Sequence, residues 1–274
     1  MKLLNGLELA GYIKERQAKQ VRNLRQSYKT FPKLAIVRTT DNPVILTYVR
    51  KKQQYGEDIL IEVDDHRPAD EDEALQLIHE LNADKTVHGI IVQLPLSDIS
   101  RTDELVNSVA PEKDVDALGE DAVLDAATPM AINWLLTGYN VEFKGKHIVI
   151  VGSGRLVGAP LARMWKNSGF DVEVVDSSVT DLAAVVHGAD IVVSATGNPG
   201  LITSAMLKEG VVVVDAATAS EDGKIVGDVA LEARERDDLT ITPEKGGVGP
   251  LTVAALFDNV IRAARSTTKD QAPS

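Results

Sequence analysis

The stretch His147-Ile-Val-Ile-Val-Gly-Ser-Gly-Arg-Leu-Val-Gly158 constrains the fold more than any other. Residues 147–151 are nearly all β-branched, as in a strand buried on both faces. Gly152, Gly154 and Gly158 follow with G-x-G-x-x-x-G spacing, and Ala159 to Lys166 suits a helix. A strand, a glycine turn and a helix in that order aim backbone N–H groups at a helix N-terminus, where they can hold a pyrophosphate. Asp171-Val-Glu-Val-Val-Asp176 reads as the next strand, with Asp176 about where a ribose-binding carboxylate belongs. An ordinary βα turn without a nucleotide is the alternative reading of the glycines alone.

The flanking sequence extends the α/β pattern. Strands are expected at 147–151, 171–175, 190–194, 211–215 and 239–242, alternating with helices. In the first half, a helix is expected from Leu7 to Tyr28, a strand from Lys33 to Arg38 and a helix from Val44 to Tyr55. A strand at Ile59 to Val63, a helix at Glu71 to Asn82 and a strand at Gly89 to Gln93 complete the run. Thr39 to Pro43 is a turn cluster suited to capping the helix after it. Thr128-Pro129 marks another helix start, with Thr as cap, running to about Thr137 and bridging two domains. Ser266 to Ser274 reads as a frayed tail.

At 274 residues the chain has room for two modest domains. No run approaches about 18 consecutive apolar residues, so no membrane span is expected. Met1 to Gly6 has no signal-peptide character, which points to the cytoplasm. The absence of cysteine removes thiolate chemistry and Cys-ligated zinc. The five histidines show no metal-binding spacing, so no metal is expected. A net charge of −12 argues against nucleic acid as a partner.

Tyr48 and Lys52 are four residues apart and share one helix face. Gln93 and Pro95 fall at a strand's C-terminal end, where α/β sheets place ligands. Lys113-Asp-Val-Asp116 offers carboxylates in a loop. Taken singly, these residues also fit a surface pair, a strand cap and a solvated turn.

In combination they are more specific. Tyr48-x-x-x-Lys52, Val92-Gln-Leu-Pro-Leu96, Pro111-x-Lys-Asp-Val-Asp116 and Ala127-Thr-Pro129 resemble motifs of the bifunctional methylenetetrahydrofolate dehydrogenase/methenyltetrahydrofolate cyclohydrolase (FolD) family. So do Gly152-x-x-x-x-Val-Gly-x-Pro160, Ala195-Thr-Gly-Asn-Pro199, Gly227-Asp-Val229 and Gly246-Gly-Val-Gly-Pro-Leu-Thr252, in the family's order. The resemblance implies oxidation of 5,10-methylenetetrahydrofolate by NAD or NADP, then hydrolysis of the methenyl product to 10-formyltetrahydrofolate. It makes Lys52 the general acid/base, Gln93 its hydrogen-bonding partner and Tyr48 a neighbour of the folate ring. Asp116 becomes the carboxylate that accepts paired N–H bonds from the pterin, with Gly246, Gly247 and Pro250 also on the substrate side. Gly152, Ser153, Gly154, Arg155, Gly158, Asp176, Ser177, Thr196, Gly197 and Ala217 fall on the cofactor side. Family members are homodimers, which is the expectation here.

The departures are informative. The family usually has Arg-Ser after the first glycine, where this chain has Ser153-Gly154. His-Ser after the next strand is replaced by Asp176-Ser-Ser178. The Ser three before the tyrosine is Ile45, and the Cys of Pro-Cys-Thr-Pro is Ala127. Asp-Val-Gly-Ile-Asn is reduced to Asp215-Ala-Ala-Thr218, and Thr-Pro-Val-Pro-Gly becomes Thr242-Pro-Glu-Lys-Gly246. Ser153 and Asp176 tilt the expected cofactor from NADP toward NAD. The expected architecture is two α/β domains around a cleft: a folate-binding part at 1–125 joined by a returning helix at 251–265, and a Rossmann-type part at 126–250. The alternatives are a single-activity member or a folate- or nucleotide-binding protein without turnover. Lys52, Gln93 and Asp116 together favour an enzyme, because a pure binder has no chemical need for the Lys–Gln pair.

Overall fold

The computed structural model describes residues 1–217, 219–221 and 224–268; Thr218 and the 269–274 part of the expected tail lie outside the described residues. The chain opens with β1 (Lys2–Leu3), α1 (Gly6–Ser27), β2 (Lys33–Val37), α2 (Pro43–Ile59), β3 (Glu62–His66), α3 (Glu71–Ala83) and β4 (Gly89–Val92). A 3-10 turn at Ile99–Arg101 leads into α4 (Thr102–Ser108), followed by α5 (Ala127–Gly138). Then come β5 (His147–Val151), α6 (Gly158–Asn167), β6 (Asp171–Val175), α7 (Leu182–Gly188), β7 (Ile191–Ser194) and β8 (Val212–Asp215). The rest is β9 (Ala219–Glu221), β10 (Lys224–Val226), α8 (Leu231–Arg234), β11 (Thr240–Ile241) and α9 (Val248–Ser266).

These elements form two compact units. One comprises Met1–Ala10 and Thr128–Thr252, the other Gly11–Ala127 and Val253–Ser274. The first contains a fully parallel six-stranded sheet of order β1-β11-β8-β7-β5-β6. Its central strands are apolar because both faces are covered: Val149, Val151, Val192 and Val213 are buried on one face, and Ile148, Ile150, Val193 and Val214 on the other. The glycine turn after β5 is a steric necessity. Gly152 has φ 104°, and a Cβ there would lie 2.7 Å from the Ala195 carbonyl oxygen. A Cβ on Gly158 would lie 1.8 Å from the Gly152 oxygen, so α6 begins in direct backbone contact with the turn.

The second unit holds a parallel three-stranded sheet of order β3-β2-β4. Asn42 caps α2, its side chain accepting from the Val44 N–H at 2.9 Å, with Pro43 in the first turn. α2 then runs to Ile59, past the expected end at Tyr55, and stops on Leu60 in the left-handed conformation at φ 67°. The strand expected at 59–63 is therefore displaced to 62–66. Its charged sequence Glu-Val-Asp-Asp-His hid it from an apolar pattern. Such a strand is stable at the sheet edge because Lys33 pairs with Glu62 and Asp64, at 2.9 and 2.7 Å, and Arg38 with Asp65 at 2.8 Å.

Other expectations are also corrected. α5 starts at Ala127, so Thr128 lies inside its first turn and does not cap it. Ser266 belongs to α9, and Thr267 and Thr268 hydrogen-bond back to the carbonyls of Ala264 and Arg265, so the chain remains ordered past the expected fraying point. β1, α4 and the β9–β10 hairpin have no counterpart in the sequence reading. Among the described residues no helix is long and apolar enough to cross a membrane.

The contact at α6 sets a stability test. Gly158→Ala forces a methyl into the Gly152 carbonyl, and should lower unfolding stability by at least about 2 kcal/mol. Gly154→Ala, with nothing near its Cβ position, should cost less than about 1 kcal/mol. Chemical denaturation of the two variants beside the parent reads the difference.

Candidate functional site

In the three-stranded sheet β2 lies between β3 and β4, so the chain reverses its direction of progress across the sheet there. Ligands of α/β proteins bind where such a reversal opens the C-terminal strand ends. Gln93 sits there, just after β4, its N–H donating to the Val37 carbonyl at 2.8 Å. The turn beyond it contains a cis Leu94–Pro95 peptide. It is tied down by two buried side chains, Thr39 and Glu71. Glu71 Oε1 accepts from the Thr39 hydroxyl and the Asp98 N–H, both at 2.9 Å, and the Thr39 hydroxyl in turn accepts from the Ser97 N–H at 2.9 Å.

α2 brings Lys52 to this turn. Gly56 seats the helix on the sheet, since a Cβ there would meet Val63 at 2.5 Å and the Ile61 carbonyl oxygen at 2.7 Å. Lys52 Nζ donates to Gln93 Oε1 at 2.6 Å, and Gln93 Nε2 donates to the Leu94 carbonyl at 3.1 Å. The glutamine amide is thus held at both ends, with its oxygen toward the lysine. Burial draws the Lys52 pKa down, against the opposing pull of Asp116. Burial in turn pushes Asp116 up, against the pull of Lys52. Both side chains keep some exposed surface yet are ringed by protein, so desolvation outweighs their mutual attraction. Tyr48 is half-buried one turn before Lys52, with Lys51 Nζ 5.5 Å from its ring centroid.

The loop carrying Asp116 is anchored by residues to which the sequence reading gave no role. Lys113 Nζ donates to the carbonyls of Leu81, Asn82 and Asp84 at 2.9, 2.8 and 2.6 Å, neutralising the C-terminal end of α3. Buried Asp114 accepts from the Gly119 N–H at 2.8 Å. Asn259 of α9 donates to the Val115 and Asp125 carbonyls at 2.9 and 2.8 Å. Lys113 and Asp114 stand in a recognisable motif, whereas nothing in the spacing of apolar residues singles out Asn259 or Glu71.

The six-stranded sheet has its own reversal, between β5 and β7. The Gly152 turn and the Ala195 carbonyl meet there, with Ser153, Gly154 and Arg155 exposed on the turn. Val157, which precedes α6, makes no side-chain cap bond, so no side chain there competes for the first-turn amides. Asp176 follows β6, and its Oδ1 accepts from the Ser178 N–H at 2.9 Å and hydroxyl at 2.6 Å, which holds the carboxyl below its ordinary pKa. Ser177 is exposed beside it. Thr196 is fixed by buried Asp228, whose Oδ2 accepts from its N–H at 2.7 Å and its hydroxyl at 2.9 Å, and Gly197 follows at φ 72°. The Ala217 N–H donates to Asp215 at 3.3 Å. This strand-turn-helix geometry, with an ionised carboxylate after the next strand, fits a dinucleotide.

Gly246, Gly247 and Pro250 belong to this unit too, whereas Lys52, Gln93 and Asp116 share the other. Gly246 has φ 83° and accepts from the Leu7 N–H at 3.0 Å, and a Cβ on Gly6 would lie 1.8 Å from the Gly247 oxygen. Pro250 is half-buried in the first turn of α9. Among the described residues no group of three or more His, Asp or Glu side chains is placed to hold a metal ion.

Comparison with known proteins finds a family match in both units. Residues 4–116 match the family model described as the tetrahydrofolate dehydrogenase/cyclohydrolase catalytic domain, and residues 126–268 the corresponding NAD(P)-binding domain. The bifunctional protein FolD of Francisella philomiragia is 35% identical over 98% of this chain and 100% of its own length. The crystal structure of the bifunctional FolD enzyme from Campylobacter jejuni superposes with TM-score 0.91 at 36% identity, covering 97% of this chain and 99% of that one. The Trypanosoma brucei methylenetetrahydrofolate dehydrogenase-cyclohydrolase, solved with NADP and an inhibitor, gives TM-score 0.90 at 29% identity over 97% and 98%. The chain belongs to the tetrahydrofolate dehydrogenase/cyclohydrolase family.

Proposed function

We propose that this protein oxidises 5,10-methylenetetrahydrofolate with a nicotinamide dinucleotide and hydrolyses the methenyl product to 10-formyltetrahydrofolate. The observation that carries the reading is the 2.6 Å Lys52–Gln93 hydrogen bond beside Asp116. A lysine drawn toward neutrality can take a proton and return it, which hydrolysis of a methenyl cation requires. Lys52 accepts a proton from the water that attacks the methenyl carbon. The ammonium then protonates N5 as the C–N5 bond breaks and the new hydroxyl loses its proton to solvent, so one proton is released overall. Gln93 keeps Nζ at one position through both steps. Asp116 binds the pterin through paired N–H bonds, and Tyr48 flanks the folate ring.

A bound nicotinamide would supply the hydride acceptor for oxidation of the methylene carbon. Gly152, Gly154 and Gly158 would let the backbone approach its pyrophosphate, which the α6 amides with Ser153 and Arg155 would hold. Thr196, Gly197 and Ala217 line the nicotinamide side. Gly246, Gly247 and Pro250 are assigned to the substrate, as close-approach backbone.

Removing the proton carrier tests the mechanism. Lys52→Met should lower methenyltetrahydrofolate hydrolysis by about two to four orders of magnitude while folate still binds. Gln93→Ala should act in the same direction, and the double variant should lose less than the product of the two. Absorbance assays with the uncatalysed rate subtracted measure both, and a Lys52→Met enzyme within a few-fold of the parent would remove Lys52 from the mechanism.

The charge coupling has its own signature. Asp116 raises the Lys52 pKa, so Asp116→Asn should lower it further. An amine-reactive label attacks only the neutral lysine. Its pH-dependent labelling of Lys52, followed by peptide mass spectrometry, should therefore begin at lower pH in the variant than in the parent.

Cofactor choice follows from Ser153 and Asp176. Ser153 has no charge for a 2′-phosphate, and Asp176 is held ionised by Ser178, suited to ribose hydroxyls and repulsive to a phosphate. Losing one charge-assisted phosphate contact costs about 1.5–3 kcal/mol, so kcat/KM with NAD should exceed that with NADP by about tenfold or more. Steady-state kinetics with each cofactor decide it, and NADP preference would assign the missing arginine's task to Arg155.

A further inference from the structure

Asn259 lies far from Asp116 in sequence and is fully buried on α9. Its side-chain amide spends both hydrogens on one loop. Nδ2 donates to the Val115 carbonyl at 2.9 Å and to the Asp125 carbonyl at 2.8 Å, while Oδ1 is left without a partner. An unpaired buried oxygen is destabilising, so the residue is held there by what its two donors accomplish. Val115 immediately precedes Asp116 and is itself fully buried. Its side chain is wedged against β4, because a Cβ on Gly89 would lie 2.8 Å from Val115 Cγ1 and 3.2 Å from Val260 Cγ2. Val260, the residue after Asn259, thus packs on the same Gly89 position of β4 as Val115. On the same N-terminal side Lys113 ties the loop to the end of α3; beyond Asp116, Ala117 is in the left-handed conformation at φ 55° and the Gly119 N–H donates back to Asp114 Oδ2 at 2.8 Å. The loop is clamped on both sides of Asp116.

We propose that Asn259 is the positioning residue for Asp116: by holding the Val115 carbonyl it fixes where the carboxylate is presented, and so sets how tightly the pterin is gripped. This rests on the reading of Asp116 as the pterin-binding carboxylate. Asn259 touches no reacting atom, and its effect on folate passes through Asp116 alone. Alanine is a better helix former than asparagine, so Asn259→Ala keeps the helical propensity of α9 while its loss of the amide leaves the Val115 and Asp125 carbonyls without these donors.

The test is a double-mutant cycle read by calorimetric titration with 5-formyltetrahydrofolate, with thermal unfolding as a check on folding. Asp116→Ala should weaken binding by about ten- to a hundredfold. Asn259→Ala should weaken it by about tenfold in the parent, but by less than about twofold in the Asp116→Ala background, because the path through Asp116 is already cut. In the dehydrogenase assay Asn259→Ala should raise KM for methylenetetrahydrofolate and leave KM for the nicotinamide cofactor within about twofold. If Asn259→Ala does not fold, Gly89→Ala displaces Val115 from the opposite side and should show the same coupling. Binding within twofold of the parent, or an undiminished loss in the Asp116→Ala background, would overturn the proposal. If Asp116→Ala itself binds like the parent, the pterin-binding reading fails first, and the role of Asn259 falls with it.

Discussion

A parallel sheet with both faces covered has nowhere to place polar chemistry except at its strand ends. Both sheets of this chain meet that constraint. β5 and β7 are buried almost throughout, as are β2 and β4. Gln93 and Thr196 lie in the turns that follow β4 and β7, Asp116 lies in a loop, and Lys52 is brought to its turn by α2. Each sheet reverses its direction of progress once, and each reversal leaves one opening at the C-terminal ends. The chain therefore has two such openings, one suited to a dinucleotide and one holding a lysine and a carboxylate.

The polar groups at the end of the three-stranded sheet are partly withdrawn from water, and their energetics follow from how each is compensated. A buried charge without a partner costs several kcal/mol. Lys52 meets that cost with Gln93 and Asp116, yet not completely, since its pKa remains drawn down. The incomplete compensation is what makes it chemically useful. A lysine fully paired in a short ion bridge would hold its proton, and one fully exposed would keep its ordinary pKa. Lys113, only a few residues from Asp116, shows the structural use of the same side chain, with three carbonyls around its ammonium.

The elements legible in the sequence were those whose burial imposes a pattern. β5, β6 and the glycine turn are dictated by two-sided burial and backbone clearance, and 147–151 and 171–175 match the observed strands. β3 was misplaced because an edge strand is stabilised by charge pairs with its neighbour and needs no apolar face. β1 is two residues long, too short to show a period, and exists only because β11 offers a free edge. At the site, Lys52, Gln93 and Asp116 were visible through motif resemblance, and Lys113 and Asp114 stand in the same motif, whereas Asn259 and Glu71 were not visible. Asn259 and Glu71 act by directing donors or acceptors at backbone atoms or short turns. Such anchoring asks only for the right hydrogen-bonding group at one place in space, and leaves no period or spacing behind.

The same reasoning explains a motif on the dinucleotide side that resemblance alone leaves opaque. Asp215 ends β8 and accepts from the N–H groups of Asp228 and Val229 at 3.1 and 3.0 Å, and from Arg234 at 2.5 Å. Burial pushes its carboxyl up in pKa, and those backbone donors pull it back. Gly227 must be glycine because a Cβ there would lie 2.0 Å from Asp215 Oδ2. Asp228 then passes the constraint on, its Oδ2 accepting from the Ser194 hydroxyl at 2.6 Å and from Thr196. A carboxylate after β8 thereby fixes a second carboxylate, which fixes the turn after β7, where the Gly152 backbone makes its close approach. Gly-Asp-Val at 227–229 is thus the middle link of a chain of hydrogen bonds running from one strand end to the next, and backbone anchoring accounts for all three residues.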